Sequence, residues 1–274
     1  HGASKLDAFK AEYIKSSILQ DNTSLVIFEM PFLKMLAYNR YVHGYDDVSE
    51  ADLLKTLQKT STIVGPEIEL MKWIREHNLK SADKVSVLGN DNMIVQGLNE
   101  LRDLSAYLTK IGVETDCHKE ELDRLADCLK SGDIWLVKTP AGLALEQMEK
   151  DRDALMEALG EDFDLIKFYL EGILNDPRQE DDCWASPDFY RRDAELAENS
   201  RFLIDRYCSG GRTAIVSCHL SHAVFRPSDY PFDTTMGGFL KDWYGDNGIY
   251  IMWEPEIGPE SALITSFEGM GEIV

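Results

Sequence analysis

Several motifs that usually identify an enzyme from sequence are missing here. There is no GxSxG elbow, no GxGxxG turn, no Gly-rich phosphate loop ending in Gly-Lys-Ser/Thr, and no HExxH helix. Serine-hydrolase, nucleotide-binding and zincin readings therefore lose the residues that would carry them. Positive charge is also scarce: 28 Lys and Arg stand against 49 Asp and Glu, for a formal net charge of −21. So acidic a chain repels polyanions, which argues against nucleic-acid or anionic-membrane partners and fits a strongly solvated surface that attracts cations. No apolar run approaches the roughly 20 residues of a membrane span, and no signal-peptide pattern is present, although the chain opens at His1 rather than Met. The five cysteines (Cys117, Cys128, Cys183, Cys208 and Cys218) include no CxxC pair. That spacing excludes a zinc module and a disulfide framework, and it points to a reduced, cytoplasmic protein. Internal repeats and low-complexity segments are absent.

What is present is enough for a sizeable core. Apolar residues make up 44% of 274, which suits one large domain or one domain with a large insertion. The most informative stretch is Arg212 to Val224, RTAIVSCHLSHAV. Thr213 to Cys218 reads as a short strand, bounded by Gly210-Gly211 and buried on both faces. It runs into a loop carrying His219 and His222. In an open α/β sheet the carboxyl ends of the strands are where ligands bind. Imidazole titrates near neutral pH and suits acid–base work there, the plain alternative being one core histidine and one surface histidine. Cys218, next to His219, is a candidate nucleophile, although a cysteine closing a buried strand is more often packing.

The remaining elements follow from spacing. Ser4 is a plausible cap for an amphipathic helix through residue 20, with Leu6, Phe9, Tyr13, Ile14 and Ile18 at helical intervals. Ser24–Met30 is an apolar strand with Glu29 near its end, a carboxylate that needs a partner if buried. Pro31 stops it, and Phe32–Tyr41 reads as a helix. Ser49 and the acidic residues after it resemble a capping box for a helix over Ala51–Lys59. Gly65-Pro66 breaks the chain before an amphipathic helix, Glu67–His77. Lys84–Leu88 is the next strand, followed by a GNDN turn that holds Asp91. From Met93 to about Gln179 the pattern is helical, for example over Leu98–Ile111, Glu120–Lys130 and Leu143–Leu159, with Asp133–Lys138 the one strand candidate. Asp188–Tyr207 is a long helix, Gly248–Trp253 a strand, and Ser261–Val274 a segment able to pair once more. His43, His77 and His118 read as surface residues, and Trp73 as core.

Taken in order, these pieces resemble the erythromycin esterase family, which includes succinoglycan-biosynthesis-like proteins. HGASKLDAFK matches the family's first turn and helix, and VIFEMPF its strand ending in Glu. WIREHN followed by KVSVLGND matches the Trp helix and Gly-x-Asp turn, YRRDAELAEN the Arg-Asp helix, and SCHLSH the His-x-x-His strand end; MGGFLKDWYGD resembles the segment that follows. The sequence departs from the family in opening directly at the His-Gly turn, in Lys5, and in Ser-Cys-His-Leu where Trp-Ala-His-Asn is usual.

The resemblance implies an α/β fold: a mostly parallel central sheet flanked by helices, with a large helical insertion or cap. It divides one domain into a first α/β half over 1–92, a helical segment over 93–180, and a second α/β half over 181–274. It also implies a hydrolase acting on a small-molecule ester or lactone through histidine-activated water, without a serine nucleophile. His1 matches the general base and Glu29 the carboxylate that orients it. His219 and His222 match the pair that stabilises the oxyanion or protonates the leaving alkoxide. Lys10, Asp91 and Arg192 fall where substrate-binding or charge-balancing groups lie. No cofactor is required. The alternatives are one divalent metal ion held by His1, Glu29, His219 and His222, or a non-catalytic small-molecule binder on the same scaffold.

Overall fold

The structure is a computed structural model that describes residues 4–46, 48–51, 65–91, 138–175, 188–223, 234–245, 251–255 and 262–266. The chain opens with α1 (Ser4–Gln20), β1 (Thr23–Pro31), α2 (Phe32–Val42), α3 (Gly65–Lys80) and β2 (Ser86–Asp91). The helical middle contributes α4 (Lys138–Lys150), α5 (Arg152–Leu159) and α6 (Asp162–Asn175). Then come α7 (Asp188–Tyr207), β3 (Thr213–Ser217), α8 (Leu220–Ala223), α9 (Met236–Tyr244), β4 (Ile251–Pro255) and β5 (Ala262–Ser266).

The sheet explains the rest. β1 lies between β2 and β3 and pairs parallel with both. Its apolar run serves two faces, because successive side chains of a strand point to opposite sides. Leu25 and Ile27, with Leu88 of β2, pack under Phe32, Leu36 and a cluster from α5 and α6 that includes Leu155, Phe163 and Tyr169. Val26 and Phe28, with Val87, meet Ala11, Ile14 and Ile18 of α1 and Leu70, Met71 and Ile74 of α3. Residues 138–175 thus form a helical layer directly on one sheet face. This is the α/β arrangement implied by the sequence, with helices on both sides of a parallel sheet.

β2 has no strand partner on its outer side among the described residues, and asparagines cover that side. Asn39 Oδ1 accepts from Val87 N at 3.0 Å, while Asn78 both accepts from Val85 N and donates to Val85 O at 2.8 Å. These amides satisfy buried backbone groups that a neighbouring strand would otherwise pair.

Several expectations change in detail. β3 is half-buried rather than buried on both faces, because it lies at an edge of the described sheet. Gly89, Asn90 and Asp91 are not a turn: they extend β2 and are buried. A Cβ on Gly89 would lie 2.3 Å from the carbonyl oxygen of Met30, so only glycine lets the two strand ends approach this closely. Gly65 and Pro66 start α3 instead of breaking the chain before it, since proline's missing N–H costs nothing in a first turn. The helix expected over Leu143–Leu159 is two helices meeting at Asp151, which lets Met148 and both Leu155 and Leu159 reach one core.

β4 spans Ile251–Pro255, and the tail pairs with it antiparallel as β5. The helices expected over Leu98–Ile111 and Glu120–Lys130 lie outside the described residues. So do nearly all of the Ala51–Lys59 helix and all of the Asp133–Lys138 strand candidate except Lys138, which opens α4. No described helix is long and apolar enough to cross a membrane.

Candidate active site

The parallel register sets the site. Phe28 is level with Gly89 on one side and with Ser217 on the other, so the next residues of all three strands emerge at one edge. Glu29, Asp91 and the His219 loop therefore converge although they are far apart in sequence. Glu29 Oε2 accepts the backbone N–H of His219 at 2.6 Å. This bond fixes the entry to α8, the single helical turn that carries His222.

Arg192 joins the carboxylates. It lies in the first half of α7, where a buried cation requires anionic partners. Its Nη2 donates to Glu29 Oε1 at 2.9 Å and to Asp91 Oδ2 at 2.7 Å, and its Nε reaches Asp91 Oδ1 at 3.3 Å. Burial works against the guanidinium charge, but Asp91 and then Glu29 outweigh it, and the pKa of Arg192 rises. Asp91 is 2% exposed with both oxygens on Arg192, so it holds the guanidinium rather than facing a ligand.

His222 completes the cluster from below. Its Nδ1 is 2.6 Å from Asp193 Oδ1, and its Nε2 is 3.2 Å from Arg192 Nη1 and 3.4 Å from Glu29 Oε1. A guanidinium can only donate, so Nε2 accepts from Arg192 and the ring proton sits on Nδ1, shared with Asp193; this tautomer is assigned from the network. The His219 ring lies edge-on to that of His222 with centroids 6.4 Å apart, and the residue is exposed. Partial desolvation is the largest influence on the His219 ring and lowers its pKa. Glu29 opposes the shift, while His222 and Lys10 add to it. The imidazole is accordingly held neutral, as an acceptor of protons, near neutral pH.

Lys10, half-buried on α1, belongs to the same electrostatic environment, because its charge reaches both His219 and Cys218. Cys218 keeps some exposure as a residue, yet desolvation, reinforced by Glu29 and Asp193, pushes its thiol strongly upward. A thiol held protonated in this way is a poor nucleophile. His1 lies outside the described residues. Among the described residues, no group of three or more His, Cys, Asp or Glu side chains is arranged to hold a metal ion.

The structure thus brings together Glu29, Asp91, Arg192, His219 and His222, with Lys10 at their margin. Sequence reasoning missed Asp193, which is 1% exposed. Its signal was present in the Arg192-Asp193 pair: adjacent opposite charges inside a long helix, each buried only when partnered. It also missed Asn90, which is fully buried and ties β2 to α7: its side-chain amide donates to Ser200 Oγ at 2.9 Å, and its backbone carbonyl accepts from Asn199 Nδ2 at 2.8 Å. His43, read as a surface residue, is partly buried against Ser86 Oγ at 3.2 Å, at the opposite end of the strands.

Comparison with solved structures shows the same fold in proteins that are remote in sequence. A Bacillus cereus protein of known crystal structure superposes with a TM-score of 0.56 at 19% identity, covering 93% of this chain and 66% of that one. A succinoglycan biosynthesis protein gives 0.51 at 15% identity, covering 94% and 66%. A histidine-to-asparagine mutant of the erythromycin esterase EreC, in its open conformation, gives 0.50 at 14% identity, covering 94% and 71%. This chain therefore spans just under two thirds of the length of the first two. No curated protein matches it significantly. At the level of sequence, the erythromycin esterase profile matches residues 19–252, a range holding every described residue of the cluster except Lys10. By that match over most of its length, the chain belongs to the erythromycin esterase family.

Proposed function

We propose that this protein hydrolyses an ester or lactone of a small molecule, using water activated by histidine and no serine or cysteine nucleophile. The observation that carries this reading is the convergence of two imidazoles, a carboxylate and a guanidinium at the carboxyl edge of the sheet, locked by the 2.6 Å bond from His219 N to Glu29 Oε2. Family membership supports hydrolytic chemistry. The high pKa of Cys218 and the missing serine elbow are consistent with direct attack by water.

The chemistry runs as follows. A water oxygen adds to the carbonyl carbon while a neutral imidazole takes its proton. His219, exposed and with a lowered pKa, is suited to this, and His1 is the base by the family pattern. The charge that develops on the carbonyl oxygen is offset by the cations at this edge: Lys10, and Arg192 held behind it by Glu29 and Asp91. The tetrahedral intermediate then expels the alkoxide, which takes the proton back from the imidazolium, leaving acid and alcohol. Glu29 anchors both Arg192 and the His219 backbone, so it holds the donors in place.

The test is turnover of a panel of esters and lactones by the purified protein in H2¹⁸O, with and without a chelator. The expected result is one ¹⁸O atom in the acid product, no covalent acyl-enzyme by mass spectrometry, activity that survives chelation, and a loss of roughly 10²-fold or more in kcat for His219→Ala and Glu29→Gln. An acyl adduct on the chain would overturn the reading, as would full activity in both variants. Activity lost on chelation and restored by a divalent ion would move the chemistry to a metal.

A further inference from the structure

We infer that Asp193 is a positioning residue for His222: its carboxylate keeps the imidazole proton on Nδ1, so that Nε2, the nitrogen facing Arg192 and Glu29, stays unprotonated and accepts from the Arg192 guanidinium. This rests on the proposed hydrolytic role for the site, but its central claim is about the state of one ring and can be read without any substrate.

The argument begins with what surrounds the ring. Asp193 and His222 are both sequestered, with side chains 1% and 3% exposed, and their 2.6 Å contact lies at the short end for a nitrogen–oxygen bond. Ionised, Asp193 can only accept, so the shared proton belongs to Nδ1. On the far side, Arg192 Nη1 can only donate, and at 3.2 Å it takes the Nε2 lone pair. The two neighbours select one tautomer from opposite sides. They are consecutive residues of α7, so a single rigid helix sets both.

Asp193 Oδ2 is buried with no hydrogen-bond partner, so this carboxylate directs its hydrogen bonding at the histidine through Oδ1. A purely structural staple between α7 and α8 would need only a bond of either polarity. This one has a fixed polarity, and Arg192 makes the opposite polarity repulsive.

The experiment labels the histidines of the intact chain with ¹⁵N and reads the ring nitrogens of His222 by long-range proton–nitrogen correlation above neutral pH, in wild type, Asp193→Asn and Asp193→Glu. Wild type is expected to show Nδ1–H. In Asp193→Asn an obligate acceptor is replaced by a weaker one that can also donate, so with Arg192 still opposing Nε2–H the Nδ1–H signal is expected to move upfield and a minor Nε2–H form to appear, while Asp193→Glu keeps the wild-type signal. With an ester that the wild type turns over, Asp193→Asn is expected to lower kcat by on the order of 10²-fold or more at nearly constant KM, and Asp193→Glu to recover part of that loss. Nε2–H in the wild type would overturn the proposal, and so would an Nδ1–H signal of unchanged position and population in a folded Asp193→Asn. If Asp193→Asn fails to fold, the wild-type and Asp193→Glu spectra still decide the polarity. If no ester is turned over by the wild type, the functional reading fails while the ring assignment stands or falls on the spectra alone.

Discussion

Arg192→Met is the sharpest test of how the site is held together. The guanidinium is 9% exposed and bonds two carboxylates, Glu29 at 2.9 Å and Asp91 at 2.7 Å, whose side chains are 10% and 3% exposed. Methionine keeps most of the apolar stem and removes only the charged head. Two buried carboxylates are then left facing each other without the cation, and His222 loses its Nε2 donor. Removing one partner of a buried ion pair costs about 3–5 kcal/mol, a large fraction of the roughly 5–15 kcal/mol that stabilises a domain. Equilibrium urea unfolding followed by tryptophan fluorescence measures this, with an unchanged m-value showing that the compactness of the end states is preserved. A cycle with Asp91→Asn identifies the cause. In the methionine background the stranded Asp91 charge is itself harmful, so Asp91→Asn should recover about 1 kcal/mol or more, whereas in the wild type it should cost stability. A loss below about 1 kcal/mol for Arg192→Met, or simple additivity of the two changes, would refute the clamp.

Two further outcomes follow from the same geometry. Burial, helped by Lys84, holds the pKa of His43 down at about 4 against an ordinary 6.5, so the folded chain keeps this ring neutral where the unfolded chain would protonate it. Its contribution is complete above pH 6.5 and is lost as the pH falls through about 4. With part of the ring in solvent, that is worth roughly 2 kcal/mol. Unfolding curves of wild type and His43→Gln between pH 8 and pH 4 should converge by this amount on acidification, and parallel curves would show that the ring is not buried neutral. Gly237 is the second case. A Cβ there would lie 2.3 Å from the carbonyl oxygen of Ala223, at the end of the turn that carries His222. Gly237→Ala should cost about 1–3 kcal/mol in chemical unfolding or displace α8, which the His222 ring signals would report; unchanged stability together with unchanged signals would contradict this packing.

The elements were mostly legible because their causes are local. The continuous apolar run of β1, the helical spacing in α1, α3 and α7, and the two histidines after a β-branched strand are all written in neighbouring residues. Legibility failed where the cause was distant. GNDN has the composition of a turn, yet pairing with the bulged end of β1 draws Gly89, Asn90 and Asp91 into β2. His43 follows a helix in a polar loop, and only the packing against Ser86 covers it.

By itself, the sequence determined which chemical groups are available. It supplies a carboxylate closing one apolar strand, two imidazoles closing another, an Arg-Asp pair in a helix, and no nucleophilic elbow. Tertiary structure decided which of these groups meet and in what polarity. Glu29 and His219 are 190 residues apart and touch because three parallel strands end level. Asp193 gains its role because the helix that places Arg192 against two carboxylates also turns the next residue toward His222. Local propensity acts over a few residues, whereas register and helix docking are settled by burying both faces of the sheet at once; the proton on His222 follows from that packing.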